Sequence, residues 1–238
     1  MQLPATLMLA FFAASTGLPA NAYAADRLRG DPQAVEAIEA MLERLGGRDA
    51  WVRMRTLHLK YHVWRTDPDE KLVERAWRDL KEPNQRIELD SPSAPVTWAF
   101  TAGYGWVMRD GAVKDISSAG HASAVEFWPF DFYTMIRRFA DADPALVLRF
   151  EAPRRIRVES GSGADLGWWE VDSTGALLKW GSVSDGETLE YVYGPLRAFG
   201  EINFPAWGAA VDGSWRFEYA DVSVSPMPIP AALLDRPG

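Results

Sequence analysis

The chain has 238 residues, a net charge of −8, 47% hydrophobic and 12% aromatic residues including 11 Trp, and no Cys. This acidic balance excludes a nucleic-acid surface, which needs clustered positive charge, and argues against electrostatic docking on an anionic leaflet. Without cysteine the fold must be held by its core, and no lipid-modified cysteine is expected at a processed N-terminus.

The uncharged run Leu7-Met8-Leu9-Ala10-Phe11-Phe12-Ala13-Ala14 leads to Ala22-Tyr23-Ala24 and Ala25-Asp26, the form of a secretory signal peptide with a small-x-small cleavage site. Residues 1–24 are therefore expected to be removed on export to the periplasm, leaving one soluble domain over 25–238. The apolar run falls short of the roughly 20 residues that cross a bilayer as a helix. Met1-Gln2-Leu3-Pro4 lacks the usual basic residues.

Asp31 to Leu45 is spaced as an amphipathic helix. Asp31 stands at the N-cap, Pro32 at the tolerated first position, and Val35, Ile38, Leu42 and Leu45 recur at steps of three and four before Gly46-Gly47. It reads as a core-facing helix, with a lid on a sheet as the functional alternative. Asp49 to Met54 adds a short helical turn.

Beyond Arg55 the period is two: Leu57, Leu59, Tyr61 and Val63 share one face of a strand, His58, Lys60 and His62 the other. Further strands are expected at Val73–Asp79, Gln85–Leu89, Val96–Thr101 and Trp106–Arg109, with Asp110-Gly111 turning a hairpin into Ala112-Val113. Val125 to Ala140 returns to helical spacing as a second helix, apolar on nearly every side. Strands resume at Leu146–Phe150, Arg154–Glu159, Gly167–Asp172, Leu177–Val183, Thr188–Tyr193 and Ser214–Val224. The fold class expected is α+β, mainly antiparallel: a strongly curved half-open β-barrel with helices covering its concave face.

Catalytic constellations are scarce. His58 and His62 have the spacing of zinc-binding helices, but on a strand that interval spans about 13 Å, too far for one ion. His121 lies among small residues that read as a loop. Ser160-Gly161-Ser162-Gly163 lacks the frame of a nucleophile elbow, and no phosphate-cradling Gly-rich loop is present. The basic cluster Arg149, Arg154, Arg155 and Arg157 could meet a lipid headgroup or an acidic partner, yet reads better as the wet side of two strands. Arg137-Arg138 reads the same way.

Ile38-Glu39-Ala40-Met41-Leu42-Glu43-Arg44-Leu45-Gly46-Gly47-Arg48-Asp49-Ala50-Trp51 resembles the opening of periplasmic proteins similar to the outer-membrane lipoprotein carriers of the Lol system, the LolA/LolB-like family. The hairpin Trp169 to Trp180 around Asp172 and Gly175, the segments Tyr191-Val192-Tyr193 and Phe199 to Pro205, and the last strand from Trp215 to Val224 resemble that family too. The resemblance implies an incomplete barrel whose apolar concave face takes up acyl chains, with no cofactor and no chemistry. The arginine that the lipoprotein carriers use in release is not placed in this chain.

The expected function is thus a periplasmic binder or carrier of lipid, lipoprotein acyl chains or another long apolar ligand. The expected cavity wall comprises Leu57, Leu59, Tyr61, Trp98, Phe100, Trp106, Met108, Trp169, Trp180, Trp215, Phe217 and Tyr219 from strands. Phe130, Met135, Ile136 and Phe139 join it from the second helix. A lipid or acyl chain is the expected partner, with a membrane-bound donor or acceptor protein beside it. A monomer, no cofactor, no metal and no nucleic acid are expected. Two rivals stay open: a periplasmic enzyme using carboxylates or His58 and His62 in the cavity, and an envelope-complex subunit gripping another protein.

Overall fold

A computed structural model of the chain describes residues 27–66, 69–91, 94–151, 154–184 and 187–238; the leader, residues 1–24, lies outside the described residues. In chain order the elements are α1 (Pro32–Arg44), α2 (Arg48–Arg53), β1 (Thr56–Thr66), β2 (Asp69–Asp79), β3 (Gln85–Asp90), β4 (Val96–Phe100), β5 (Gly105–Arg109), β6 (Ala112–Asp115), α3 (Ser118–Phe127) and α4 (Phe132–Ala140). They continue with β7 (Leu146–Glu151), β8 (Arg155–Ser160), β9 (Asp165–Val171), β10 (Leu177–Ser184), β11 (Glu187–Tyr193), β12 (Leu196–Phe199), β13 (Ile202–Pro205), β14 (Trp207–Ala210), β15 (Trp215–Ser225) and α5 (Ala231–Leu234). Among the described residues no helix is long and apolar enough to cross a membrane.

Thirteen strands form one curved sheet in the order β6-β5-β4-β3-β2-β1-β15-β14-β11-β10-β9-β8-β7, whose outermost strands β6 and β7 do not pair with each other, so the expected half-open barrel is the observed fold. The chain lays strands outward from β1 to the edge at β6. It crosses the sheet through α3 and α4 to the far edge at β7, then works inward until β15 pairs with β1. Every strand pairing is antiparallel, and alternation assigns the faces. Leu57, Leu59, Tyr61 and Val63 belong to the core on the concave side, as do Leu148, Ile156, Val158 and Trp169 from the far half.

The helices fill that side. Ile38, Met41 and Leu42 of α1 are buried, and so is every residue of α4 except Arg138. The α4 C-terminus meets the Arg48 guanidinium, which donates to the carbonyls of Phe139 (3.0 Å) and Ala140, where a cation complements the exposed carbonyls and the helix dipole. Arg137 is buried as well, donating to the Met54 carbonyl and, at 2.7 Å, to Asp141. It joins α4 to the end of α2 rather than standing on a wet face. The cluster Arg149, Arg155 and Arg157 faces solvent and pairs with Asp31 or Glu159, Glu170 and Glu151 respectively.

Four local expectations are corrected. The second helix is not continuous from Val125: α3 gives way to a 3-10 turn at Trp128–Phe130, and Asp131 turns extended (ψ 144°) and caps α4 anew. His121 sits on α3 rather than in a loop, because the Ser117 side chain accepts from the Gly120 N–H (3.2 Å) and starts a helix there. Asp31 occupies the N-cap position of α1, but its carboxylate accepts from the Phe150 N–H (3.0 Å) on the edge strand instead. The strands β12, β13 and β14 lie where periodicity predicted none; the β12–β13 hairpin abuts α1, with Asn203 donating to the carbonyls of Leu45 (3.2 Å) and Arg44 (2.9 Å).

The edge at β7 is closed by chain preceding α1. Leu148 N donates to Arg29 O (2.8 Å), Asp31 N donates to Leu148 O (2.9 Å), and Gly30 lies between with φ +138°. A Cβ at Gly30 would strike the Leu148 carbonyl. Gly30→Ala is therefore expected to lose about 2 kcal/mol or more of stability, read as a lowered urea midpoint with unchanged slope.

Candidate functional site

The pairing of β1, β2 and β3 sets Arg78 opposite Leu57 and Gln85, and Glu74 opposite Tyr61 and Leu89. On β2 the concave-facing series is thus Leu72, Glu74, Ala76 and Arg78, two charges in phase with two buried apolar residues. Both charges are answered locally. Arg78 Nη1 donates to Asp131 Oδ1 (3.0 Å) and Gln85 Oε1 (2.9 Å), and its guanidinium lies 4.9 Å from the Tyr133 ring centroid. Glu74 accepts the Tyr61 hydroxyl, and the hydroxyls of Tyr133 and Tyr219 are hydrogen-bonded at 2.6 Å. Asp131 also accepts from the Tyr133 N–H (3.2 Å), so one carboxylate caps α4 and binds the strand beneath it.

Burial alone would lower the Arg78 pKa, but Asp131 foremost, then Tyr61, Tyr133 and Glu74, raise it, and the guanidinium stays charged. Burial raises Glu74 against the opposing pull of Tyr61 and Arg78. It also raises Tyr133, Tyr193 and Tyr219, and brings Tyr191 to about 12, so these phenols are neutral at physiological pH.

Above this network the helices leave a cleft of about 130 Å³. Arg78 and Asp131 stand in its wall. The rest is largely aromatic: Tyr61, Phe217 and Trp215 from the central strands, Trp180, Tyr191 and Tyr193 from β10 and β11, and Phe127, Phe132 and Tyr133 from the crossing segment. The rings meet at angles. Trp180 stacks on Tyr191 (5.6 Å, 16°), Tyr191 stands at 89° to Trp215 (5.4 Å), and Tyr193 at 72° to Phe217 (6.4 Å). Phe217 has its place because Gly208 is its partner across the strands; a Cβ there would run into the ring. A second space of about 280 Å³, a vestibule, shares Leu189, Tyr191 and Trp215 with the cleft and adds Glu190, Val211 and Asp212. Leu189 is 37% exposed and Val211 50%, so the mouth has an apolar rim.

Of the expected wall residues, Tyr61, Trp180, Trp215 and Phe217 come together at the cleft. Tyr219 sits against it through Tyr133. Leu57, Leu59, Met135, Ile136, Phe139 and Trp169 are fully packed core, and Trp98 and Phe130 pack half-buried against that core. Phe100 is buried at the end of β4, outside both clusters of buried side chains. Trp106 and Met108 are corrected: they lie on the convex face with Ala99, Ile229 and Leu234, where Trp106 Nε1 donates to the Leu234 carbonyl (2.8 Å). The convex face is thus covered locally by the C-terminal segment, which the alternation of β5 alone could not reveal.

The histidines are not at the cleft. His58 lies on the convex face with its ring stacked on Trp77 (4.7 Å) and Nδ1 3.3 Å from Ser223 Oγ. His58 Nε2 and His62 Nδ1 are buried without a hydrogen-bond partner among the described residues. His121 Nε2 is 2.8 Å from the Thr101 carbonyl. No group of three or more His, Cys, Asp or Glu able to hold a metal ion occurs among the described residues.

Arg78, Asp131, Phe127, Phe132, Tyr133, Leu189, Tyr191 and Tyr193 were missed as site residues. Two signals were present: Leu189, Tyr191 and Tyr193 alternate beside the strand of Trp180, and Arg78 and Glu74 fall on the apolar phase of β2.

No family model matches the chain, and no curated protein matches it. Solved structures to which it is similar include an uncharacterized conserved protein from Thermus thermophilus, at 12% identity over 87% of this chain and 94% of that one, TM-score 0.38. A DUF1329 family protein from Desulfovibrio piger is 8% identical over 85% of this chain and 97% of that one, TM-score 0.42. The Pseudomonas aeruginosa MucA/MucB complex gives 15% identity over 83% of this chain and 60% of that one, TM-score 0.32.

Two outcomes follow from these environments. Asp131→Ala or Arg78→Met leaves a largely buried charge unpaired and is expected to cost about 3–5 kcal/mol in urea unfolding, whereas the double variant recovers part of that loss. For His58, burial lowers the pKa, with Arg75 acting in the same direction and Asp221 and Glu88 opposing. The unfolded chain then takes up the proton first, so stability falls as pH drops below the unfolded value of about 6.5. His58→Gln should lose less stability than the wild type between about pH 7.5 and about pH 5.

Proposed function

We propose that this is a non-catalytic binding protein, exported by its leader to the periplasm, that holds an apolar or amphiphilic ligand in the aromatic cleft. In its most specific form the ligand is a lipid or a lipoprotein acyl chain, received from one membrane-bound partner and passed to another, as in the LolA/LolB-like carriers that the sequence resembles. One observation carries the reading: in a concave face otherwise filled by α1 and α4, nine aromatic side chains surround space that no side chain occupies.

The size of that space limits what enters. At about 130 Å³ it is close to the cavities of roughly 150 Å³ that take up benzene, and below the ordinary range of ligand pockets, about 300–1,000 Å³. It admits a ring or the end of a chain, while the remaining length lies along the vestibule. Each methylene so buried contributes about 0.8 kcal/mol. The crossing segment is the wall best able to yield: none of the residues of α3 is buried, yet Phe127 at its end lines the cleft. Displacing it would lengthen the hollow toward the size an acyl chain needs.

A catalytic reading has one observation in its favour, the Glu74 carboxyl raised by burial beside Tyr61 and Arg78. Its hydrogen bond to Tyr61 and the Arg78–Asp131 pair close these groups on one another, which supports a structural role. Loss of a measurable turnover in Glu74→Gln with ligand binding intact would favour catalysis.

Diphenylhexatriene, a neutral apolar fluorophore, tests the binding reading. Saturable binding of one molecule per chain is expected, weakened about tenfold when Trp180 and Trp215 are both replaced by Ala. Absence of saturable binding, together with a ligand-free mass for freshly purified protein in native mass spectrometry, would overturn it.

A further inference from the structure

We infer that the end of the ligand entering this cleft carries a neutral carbonyl oxygen, of a ketone, ester or amide, which accepts a hydrogen bond from Arg78 Nη2; this rests on the reading of the cleft as a binding site.

Unanswered donors are the first ground. A guanidinium offers N–H donors on three nitrogens and no acceptor. In Arg78, Nη1 donates to Gln85 Oε1 (2.9 Å) and to Asp131 Oδ1 (3.0 Å), and Nε is enclosed without a partner. Nη2 makes no hydrogen bond among the described residues either, yet unlike Nε it is not enclosed, and Arg78 stands in the cleft wall. Gln85, Asp131 and the Tyr133 ring, 4.9 Å from the guanidinium, hold the fork in place. The Tyr193 hydroxyl, in the same wall, likewise has no partner among the described residues and is not enclosed. The carboxylates beside them are engaged: Asp131 accepts from Arg78 and from the Tyr133 N–H (3.2 Å), and Glu74 accepts the Tyr61 hydroxyl. What this largely aromatic wall lacks is therefore an acceptor. A purely apolar occupant would strip water from Nη2 and leave it unpaired, whereas an oxygen placed there replaces the water.

The second ground decides between a neutral oxygen and a carboxylate. The positive charge of Arg78 is matched by Asp131, its ion-pair partner at 3.0 Å, and Glu190 and Asp212 line the vestibule through which the ligand's chain runs. A carboxylate would bring a further negative group among these acids and surrender its hydration to an aromatic wall. A neutral carbonyl gains the charge-assisted hydrogen bond from Nη2 without that penalty. The space of about 130 Å³ takes a small carbonyl-bearing end, and the half-exposed Leu189 and Val211 give the chain behind it an apolar rim to lie on.

Three probes with the same octyl tail test this by displacement of diphenylhexatriene: methyl octyl ketone, the alkene in which a methylene replaces its carbonyl oxygen, and nonanoate. The ketone is expected to displace the fluorophore at about tenfold lower concentration than the alkene, with nonanoate weaker than the ketone. In the Arg78→Met/Asp131→Ala double variant, its fold checked by circular dichroism, ketone and alkene should bind alike. Because that variant touches the seat of α4, the carbonyl stretch of the ketone bound to the unaltered protein gives a second reading. It should fall below its value in hexane, as a charged donor requires. If the alkene binds as tightly as the ketone, or the stretch is unshifted, the carbonyl inference fails while the apolar cleft stands. Tighter binding of nonanoate than of the ketone overturns the neutral oxygen, and a ketone preference that survives the double variant overturns the role of Arg78. Displacement by none of the three overturns the cleft as a binding site together with the inference.

Discussion

The seating of α4 on the sheet is the contact on which the rest of the concave side depends. The chain has to cross from the edge at β6 to the opposite edge at β7, and the crossing segment cannot float over an apolar surface without exposing it. Asp131 resolves this at one end of α4 by capping the helix and binding Arg78 on β2. Arg48 and Arg137 resolve it at the other end, through the α4 carbonyls and the end of α2. Between these polar anchors Phe132, Met135, Ile136 and Phe139 are buried against both halves of the sheet. Burial of this area drives the packing, while the ion pairs hold the register of helix on strand.

The cleft is a by-product of how that crossing is built. A continuous helix from Val125 would have laid its side chains along the whole sheet and filled it. The break at Asp131 instead leaves α3 without a buried residue, so that Phe127 and, from the start of α4, Phe132 and Tyr133 are what meets the rings of β10, β11 and β15. Trp180 meets Phe132 edge to face (5.7 Å), but Tyr191 and Phe217 find their ring partners among the strands, whereas Trp169 is held by both Phe132 and Phe139 of α4. Unlike the enclosed core, this part of the concave face keeps space and an outlet past Leu189.

Much of the architecture was legible from periodicity. Alternation in β1 and β15 marks an apolar face correctly because those strands lie in the middle of the sheet with one side covered by helices. The same rule misplaced Trp106 and Met108, since β5 has apolar cover on its convex side from Ile229 and Leu234, and a strand covered on either face alternates in the same way. Short strands such as β12 and β14 carry too few residues to display a period. The site was harder still. Tyr61, Trp180, Trp215 and Phe217 stand out as large aromatics, but Arg78 and Asp131 are ordinary charges in sequence, 53 residues apart, until the fold brings them to 3.0 Å.

The pairing of β15 with β1 puts the two ends of the folded chain at the centre of the sheet, where His58 and Ser223 touch across a separation of 165 residues. Local hairpins on either side can form early, yet the seam between them waits for the final strand. The barrel is therefore complete only when the last strand has found β1, and until then the inner edges of β1 and β14 stay unpaired.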